Sequence, residues 1–154
     1  DPVSRKEFWG MLLNLKKQGI TILVSTPYMD EATLCDRIAL VQGGAFLEVD
    51  TPQGIVARYP STLLAVRSGK MHRLLGDLHG YPYVNTSFSF GTAFHVTLAA
   101  EGSPEALKAY LVQRGHPDVE VQVIPPSVED CFMLLSHGTQ RHGDTEKDLS
   151  FALQ

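Results

Sequence analysis

The sequence predicts an α/β segment over residues 1–60, then an α+β unit of order βαββαβ over 61–136 that includes a closing helix. Three observations carry this. The run Ile-Thr-Ile-Leu-Val at 20–24 is nearly continuous in apolar and β-branched residues, the habit of a strand covered on both faces between helices. Beyond residue 61, strand-like and helix-like periods alternate in the order of a split βαβ unit. Between the two regimes, Pro60-Ser61-Thr62 interrupts both patterns.

The first helix opens at Asp1-Pro2, where an aspartate can accept from free amides and proline suits the first helical position. Phe8, Met11, Leu12 and Leu15 recur at helical spacing, and Gly19 stops the helix after Lys16 and Lys17. A short helix follows the strand at 29–34. Residues 38–41 and 45–49 flank Gly43-Gly44, a hairpin signal. Thr51-Pro52 then starts another short helix that ends near Tyr59-Pro60.

In the second unit, 63–67 reads as a strand and 71–78 as a helix ended by His79-Gly80. Strands at 83–90 and 93–98 meet through Gly91-Thr92. Ser103-Pro104-Glu105 begins a helix that runs to Arg114-Gly115. The last strand, 119–124, alternates Val119, Val121 and Val123 with Glu120 and Gln122. This order is that of a ferredoxin-like unit. After Pro125-Pro126-Ser127 comes a closing helix at 128–135, and 137–154 reads as a flexible polar tail.

Composition narrows the function. The chain has 154 residues, 44% hydrophobic and 19% charged, as in a globular protein. No apolar run approaches the roughly 18 residues of a membrane span. With 17 acidic against 13 basic residues the net charge is −4, which argues against nucleic acid as a partner. Phe88, Phe90 and Phe94 lie on predicted strands of the kind that can stack bases, but Ser87 and Ser89 alternate with the first two, so core packing is expected. Cys35 and Cys131 are too few for a disulfide framework and fit a reducing cytoplasm. His72, His79, His95, His116, His137 and His142 lack metal-ligand spacing and read as surface histidines, so no metal site is expected. Ser25 has no histidine and carboxylate at recognisable positions, and reads as a strand-end residue.

Three motifs carry more. Residues 25–43 read Ser-Thr-Pro-Tyr-Met-Asp-Glu-Ala-Thr-Leu-Cys-Asp-Arg-Ile-Ala-Leu-Val-Gln-Gly; Asp1-Pro2-Val3-Ser4-Arg5 precede them, and Pro126-Ser-Val-Glu-Asp-Cys-Phe-Met-Leu-Leu follow near the end. Together they resemble the C-terminal portion of the ATP-binding proteins of ABC transporters, of the kind paired with ABC-2-type exporters. That resemblance implies a D-loop residue at Asp1, on the interface between two nucleotide-binding domains, and a switch loop at 25–32. The family's switch histidine corresponds to Pro27, which has no side-chain hydrogen-bonding group, so no catalytic residue is expected here. It also implies ATP and Mg²⁺ in the intact protein, with a membrane permease and a second ATP-binding domain as partners, at the inner face of the membrane.

No Gly-x-x-x-x-Gly-Lys-Ser/Thr loop occurs in the sequence, and such loops cradle the phosphates in these machines. Asp1 falls in mid-motif, as in a piece of a longer polypeptide whose phosphate loop, Walker B carboxylates and signature lie upstream. Such a piece is expected to bind no nucleotide and hydrolyse no ATP alone. A strand at 21–25 lacking its neighbour would also expose an edge, so a homodimer is expected of the isolated chain. The rival expectation is that the βαββαβ unit is itself a ligand- or protein-binding regulatory module. A crevice with convergent polar groups would favour it.

Overall fold

The computed structural model describes residues 2–141, with side chains over 3–137; Asp1 and the tail from 142 onward lie outside the described residues. Among the described residues the fold is α/β, with two antiparallel sheets and six helices: α1 (Pro2–Lys17), α2 (Met29–Ala32), β1 (Ile38–Gln42), β2 (Ala45–Asp50), α3 (Pro52–Ala57), β3 (Leu63–Arg67), α4 (Met71–His79), β4 (Val84–Phe90), β5 (Ala93–Leu98), α5 (Pro104–Gln113), β6 (Glu120–Ile124) and α6 (Val128–Arg141).

β1 and β2 form a two-stranded hairpin in which Val41 pairs with Phe46 and Ala39 with Val49. The turn needs Gly43 and Gly44, whose φ values are +57° and +81°; residues with a Cβ are strained there, and this tight turn suits the twist of the strands. α3 follows at once. Thr51 Oγ1 accepts from Gly54 N at 2.9 Å, capping the helix. Behind it, Arg58 donates to Asp50 at 2.6 Å and to Glu48 at 2.7 Å, binding the helix end back to β2. A Cβ on Gly54 would lie 2.6 Å from Asp50 Oδ2, so the glycine makes room for that carboxylate.

The other sheet has the strand order β4-β5-β3-β6, antiparallel throughout. One face buries Leu64, Val66, Phe94 and Val96 against Leu74 and Leu78 of α4 and Leu107 and Leu111 of α5. The four leucines from the helices are fully buried, each contributing roughly 1.5–3 kcal/mol of transfer free energy. Phe94 therefore packs inward as expected. Phe88 and Phe90 do not share that core: β4 pairs Phe88 with His95 and Phe90 with Ala93, which puts them on the opposite face. There Phe90 stacks on His95 at 4.2 Å, and Phe88 lies 4.8 Å from the His137 ring of α6.

Three expectations are corrected. Residues 20–24 form no strand among the described residues; burial alternates along them, with Ile22 and Val24 half-buried and Leu23 99% exposed. A strand is completed by hydrogen bonds to a neighbour, and no described strand lies alongside this one. The α1 stripe is open as well: Phe8 and Met11 are 47% and 52% exposed, and Trp9 is the residue buried instead. Finally, the histidines are not all at the surface. His116 is wholly buried, with Nδ1 2.8 Å from Ser68 Oγ and Nε2 2.9 Å from Asp77 Oδ2.

α6 closes the fold and is longer than the sequence predicts, continuing to Arg141. Val128 and Cys131 are buried with Ala32, Leu40 and Ile55, and Phe132 and Leu135 pack beside them. Its first turn is a reciprocal cap. Ser127 N donates to Asp130 Oδ2 at 2.8 Å, and Asp130 N donates back to Ser127 Oγ at 3.2 Å. The same carboxylate, 2% exposed, reaches across with its other oxygen to His95 Nδ1 on β5 at 2.6 Å. Asp130→Ala is expected to lower the free energy of unfolding by about 3 kcal/mol, because it removes a cap and breaks a buried pair together; urea denaturation followed by circular dichroism measures it. Burial pushes the Cys131 thiol up to about 11, so at pH 8 Cys131 should alkylate at a measurable rate only after unfolding, as mass spectrometry of labelled peptides would report.

Candidate functional site

The segment that the sequence singles out, 25–32, is anchored from α1. Arg5 Nε donates to Glu31 Oε1 at 2.8 Å, and its Nη2 lies 3.5 Å from Asp30 Oδ2. The guanidinium also sits 4.2 Å over the ring of Tyr28, adding cation–π attraction. Thr26 Oγ1 donates to the second Glu31 oxygen at 2.5 Å and accepts from Tyr28 N at 3.1 Å. Glu31 thus gathers both sides of the loop: Thr26 before Pro27, and Arg5 from the helix upstream. At the other end of α1, Lys16 Nζ meets Asp36 Oδ1 at 2.6 Å.

Pro27 occupies an exposed bend between Thr26 and Tyr28. Its ring fixes φ and removes the amide donor, so position 27 presents neither a side-chain nor a backbone N–H. The Thr26 hydroxyl proton is committed to Glu31. The Tyr28 amide is likewise committed, to Thr26 Oγ1. What the arrangement can do is hold the loop in one place. The Thr26 hydroxyl, and then Arg5, keep the Glu31 carboxyl below its ordinary value, and Glu31 reciprocally raises Arg5.

Two other polar clusters appear that sequence reasoning missed. In one, Ser68 Oγ lies 2.8 Å from His116 Nδ1 and 3.1 Å from Asp118 Oδ1, with one hydroxyl proton to share, and it accepts from Lys70 N at 3.3 Å. Gly69 N donates to the other Asp118 oxygen at 2.5 Å. Asp77 is held low chiefly by His116, and Asp118 chiefly by the Gly69 amide. A serine, histidine and aspartate in line invite comparison with a nucleophile. Here, however, the hydroxyl is enclosed by Asp118 and the Lys70 amide and lines neither cavity described below. The cluster is a tie between the ends of β3, α4 and α5. Its histidine carried no signal in the sequence, because only the fold brings Ser68 and Asp77 to it. The other cluster is the His95–Asp130 pair at the start of α6.

Two cavities stand out among the described residues. The larger, about 400 Å³, opens at the ends of β3 and β5 beside the start of α5, lined by residues that include Ser61, Thr62, Leu64, Leu98 and Pro104. The smaller, about 200 Å³, lies between α3 and α6 over Ile55, Tyr59, Cys131 and Leu135. No group of three or more potential metal ligands and no helix long and apolar enough to cross a membrane occurs among the described residues. Asp1, the D-loop candidate, falls outside them.

Over nearly its whole length the chain is similar to ATP-binding proteins of ABC transporters. It is 28% identical, over 99% of its residues, to the probable multidrug ABC transporter ATP-binding protein YbhF of Escherichia coli K12. Over 88% of its residues it is 30% identical to the Nod factor export ATP-binding protein I of Rhizobium sp. strain N33, and 26% identical to the protein of that name in Bradyrhizobium diazoefficiens. The chain spans 26% of the length of YbhF and 43% of each of the other two. No family profile matches it.

Glu31, Asp77 and Asp118 all have carboxyls held below the ordinary range of about 4. The stability they contribute is complete above that range and is lost as pH falls through their lowered values. Urea midpoints should therefore hold from pH 7 to 5 and fall steeply toward pH 3, and Glu31→Gln should lower the midpoint at pH 7 while making the acid fall shallower.

Proposed function

We propose that this chain is the C-terminal part of the ATP-binding subunit of an ABC exporter, paired with an ABC-2-type permease, whose intact protein uses ATP and Mg²⁺ to drive export. Residues 1–60 are the rear of the ATPase domain, 61–136 a ferredoxin-like accessory domain with its closing helix, and 137–154 a tail. The strand order β4-β5-β3-β6 supports the ferredoxin-like assignment, since it is the order a βαββαβ chain takes when its two crossovers pack on one face.

The observation that carries the proposal is the clamp on Glu31. Residues 25–32 are joined by Arg5 and Thr26 into a unit with α1, as a loop that must approach a nucleotide from a fixed direction requires. The phosphate loop and the carboxylates for magnesium belong to the rest of the polypeptide, and this chain alone is inactive. Its own contribution is positional: α1 and α2 orient the loop, and α6 backs α2 through Ala32. The intact protein sits in the cytoplasm against the permease, with Asp1 facing a second ATP-binding domain.

Pro27 makes this nucleotide site a slow one. Losing one donor aimed at developing charge costs about 10²–10³ in turnover. In the intact protein, Pro27→His is expected to raise steady-state ATPase turnover by about tenfold or more, with the affinity for ATP little changed. Unchanged turnover would mean that position 27 is not what limits hydrolysis.

The larger cavity favours a second reading, in which the accessory domain binds a small ligand between Ser61, Thr62, Leu64 and Leu98. It is open and has few convergent polar side chains, so it ranks below the first.

A further inference from the structure

We infer that β6 is an interface between two copies of this chain, joined edge to edge and antiparallel about a two-fold axis through Gln122. The four-stranded sheet has two outer strands, and they differ. β4 carries a register shift between Val84 and Thr86, the kind of irregularity that blunts an edge. β6 pairs with β3 residue for residue over its whole length, Arg67 with Glu120 through Leu63 with Ile124, with no shift. Within Glu-Val-Gln-Val-Ile there is no lysine and no proline, and the first proline follows the last strand residue. Only Glu120, at the start of β6, discourages a further strand.

Its side chains also fit a partner better than they fit water. The sequence places Val119, Val121 and Val123 on one apolar row, and the burial of that row fades along the strand. Val119 is 3% exposed, Val121 is half-buried and packs on the core, and Val123 is 65% exposed. Val112, on α5 beside β6, is 45% exposed. The apolar row thus runs off the core toward the C-terminal end of β6, leaving Val123 uncovered on the outer strand.

With a second copy as the partner, parity fixes the register. In an antiparallel pair, facing residues must both turn their backbone groups toward each other or both away, so a two-fold axis relating two β6 strands must pass through a residue. An axis through Val123 sets Val121 against Pro125, which has no amide. An axis through Val121 sets Ile124 against Asp118, which lies outside the strand. An axis through Gln122 uses all five residues. It places Val121 opposite Val123 of the second copy, and the reverse, and Glu120 opposite Ile124. The two Glu120 side chains are then about 14 Å apart along the ladder, so no like charges face each other. The strand is complementary to itself, and the product is an eight-stranded sheet with the two α5 helices side by side on one face. This interface is independent of residues 20–24 and of any nucleotide.

Crosslinking decides the matter. In the full chain carrying Cys35→Ser, a Gln122→Cys variant is expected to form a disulfide dimer on mild oxidation, because axial residues bring their Cα atoms to about 4.5–5.5 Å. An Asn85→Cys variant on the other edge is expected to stay monomeric. Without added cysteines, sedimentation equilibrium should show a reversible dimer, and Val123→Lys should weaken it by about tenfold or more, since the Val121–Val123 contact occurs twice. A wild-type chain monomeric at every concentration, or a Gln122→Cys variant that folds by circular dichroism but crosslinks no better than Asn85→Cys, would overturn the inference. If Val123→Lys fails to fold, the crosslinking comparison stands alone.

Discussion

One carboxylate holds the two parts of this molecule in register. Asp130 is nearly inaccessible to solvent, yet it answers three groups: the amide and hydroxyl of Ser127 and the ring of His95. A buried charge without partners would cost several kcal/mol, and removing one partner of a buried pair is more damaging than never having had it. The geometry leaves little latitude. The start of α6 is fixed to β5 at a point, and the direction of the helix fixes where Val128, Cys131 and Leu135 fall against α2, α3 and β1.

α6 therefore joins two cores, packing into one and pinned by Asp130 to the sheet that carries the other. One is the sheet with α4 and α5, which is complete in itself. The other, around Leu40 and Ile55, is small, and without Val128 and Cys131 it would consist of little more than a hairpin and two short helices. A lone two-stranded hairpin is marginal in water, so the first part draws stability from residues more than 70 positions downstream. Through Ala32 that support reaches the helix carrying Glu31, and Glu31 in turn fixes the loop around Pro27.

Much of this was legible in the sequence, for local reasons. The β3 and β5 boundaries, the Gly43-Gly44 turn, and the Ser127 and Thr51 caps follow from periodicity and from residues whose backbone preference admits few alternatives. What could not be read was decided by distance in the chain. Residues 20–24 have the composition of a buried strand, but composition supplies no hydrogen-bonding neighbour. Phe8 and Met11 have the spacing of a core stripe, and only the position of α1 decides that Trp9 is covered instead. His95 and His116 looked like any other histidines; their partners Asp130 and Asp77 lie 35 and 39 residues away. Arg5 and Glu31 were in view as parts of separate motifs, and the contact between them was not.

The shared helix bears on how such proteins can be recombined. An accessory sheet that ended at its last strand would be a portable cassette, free to move between ancestors by exchange at Pro125. Here an exchange at Pro125 would leave the sheet its own core but empty the socket that Ala32, Leu40 and Ile55 form around α6. The cost of such a cut falls on the part upstream of it.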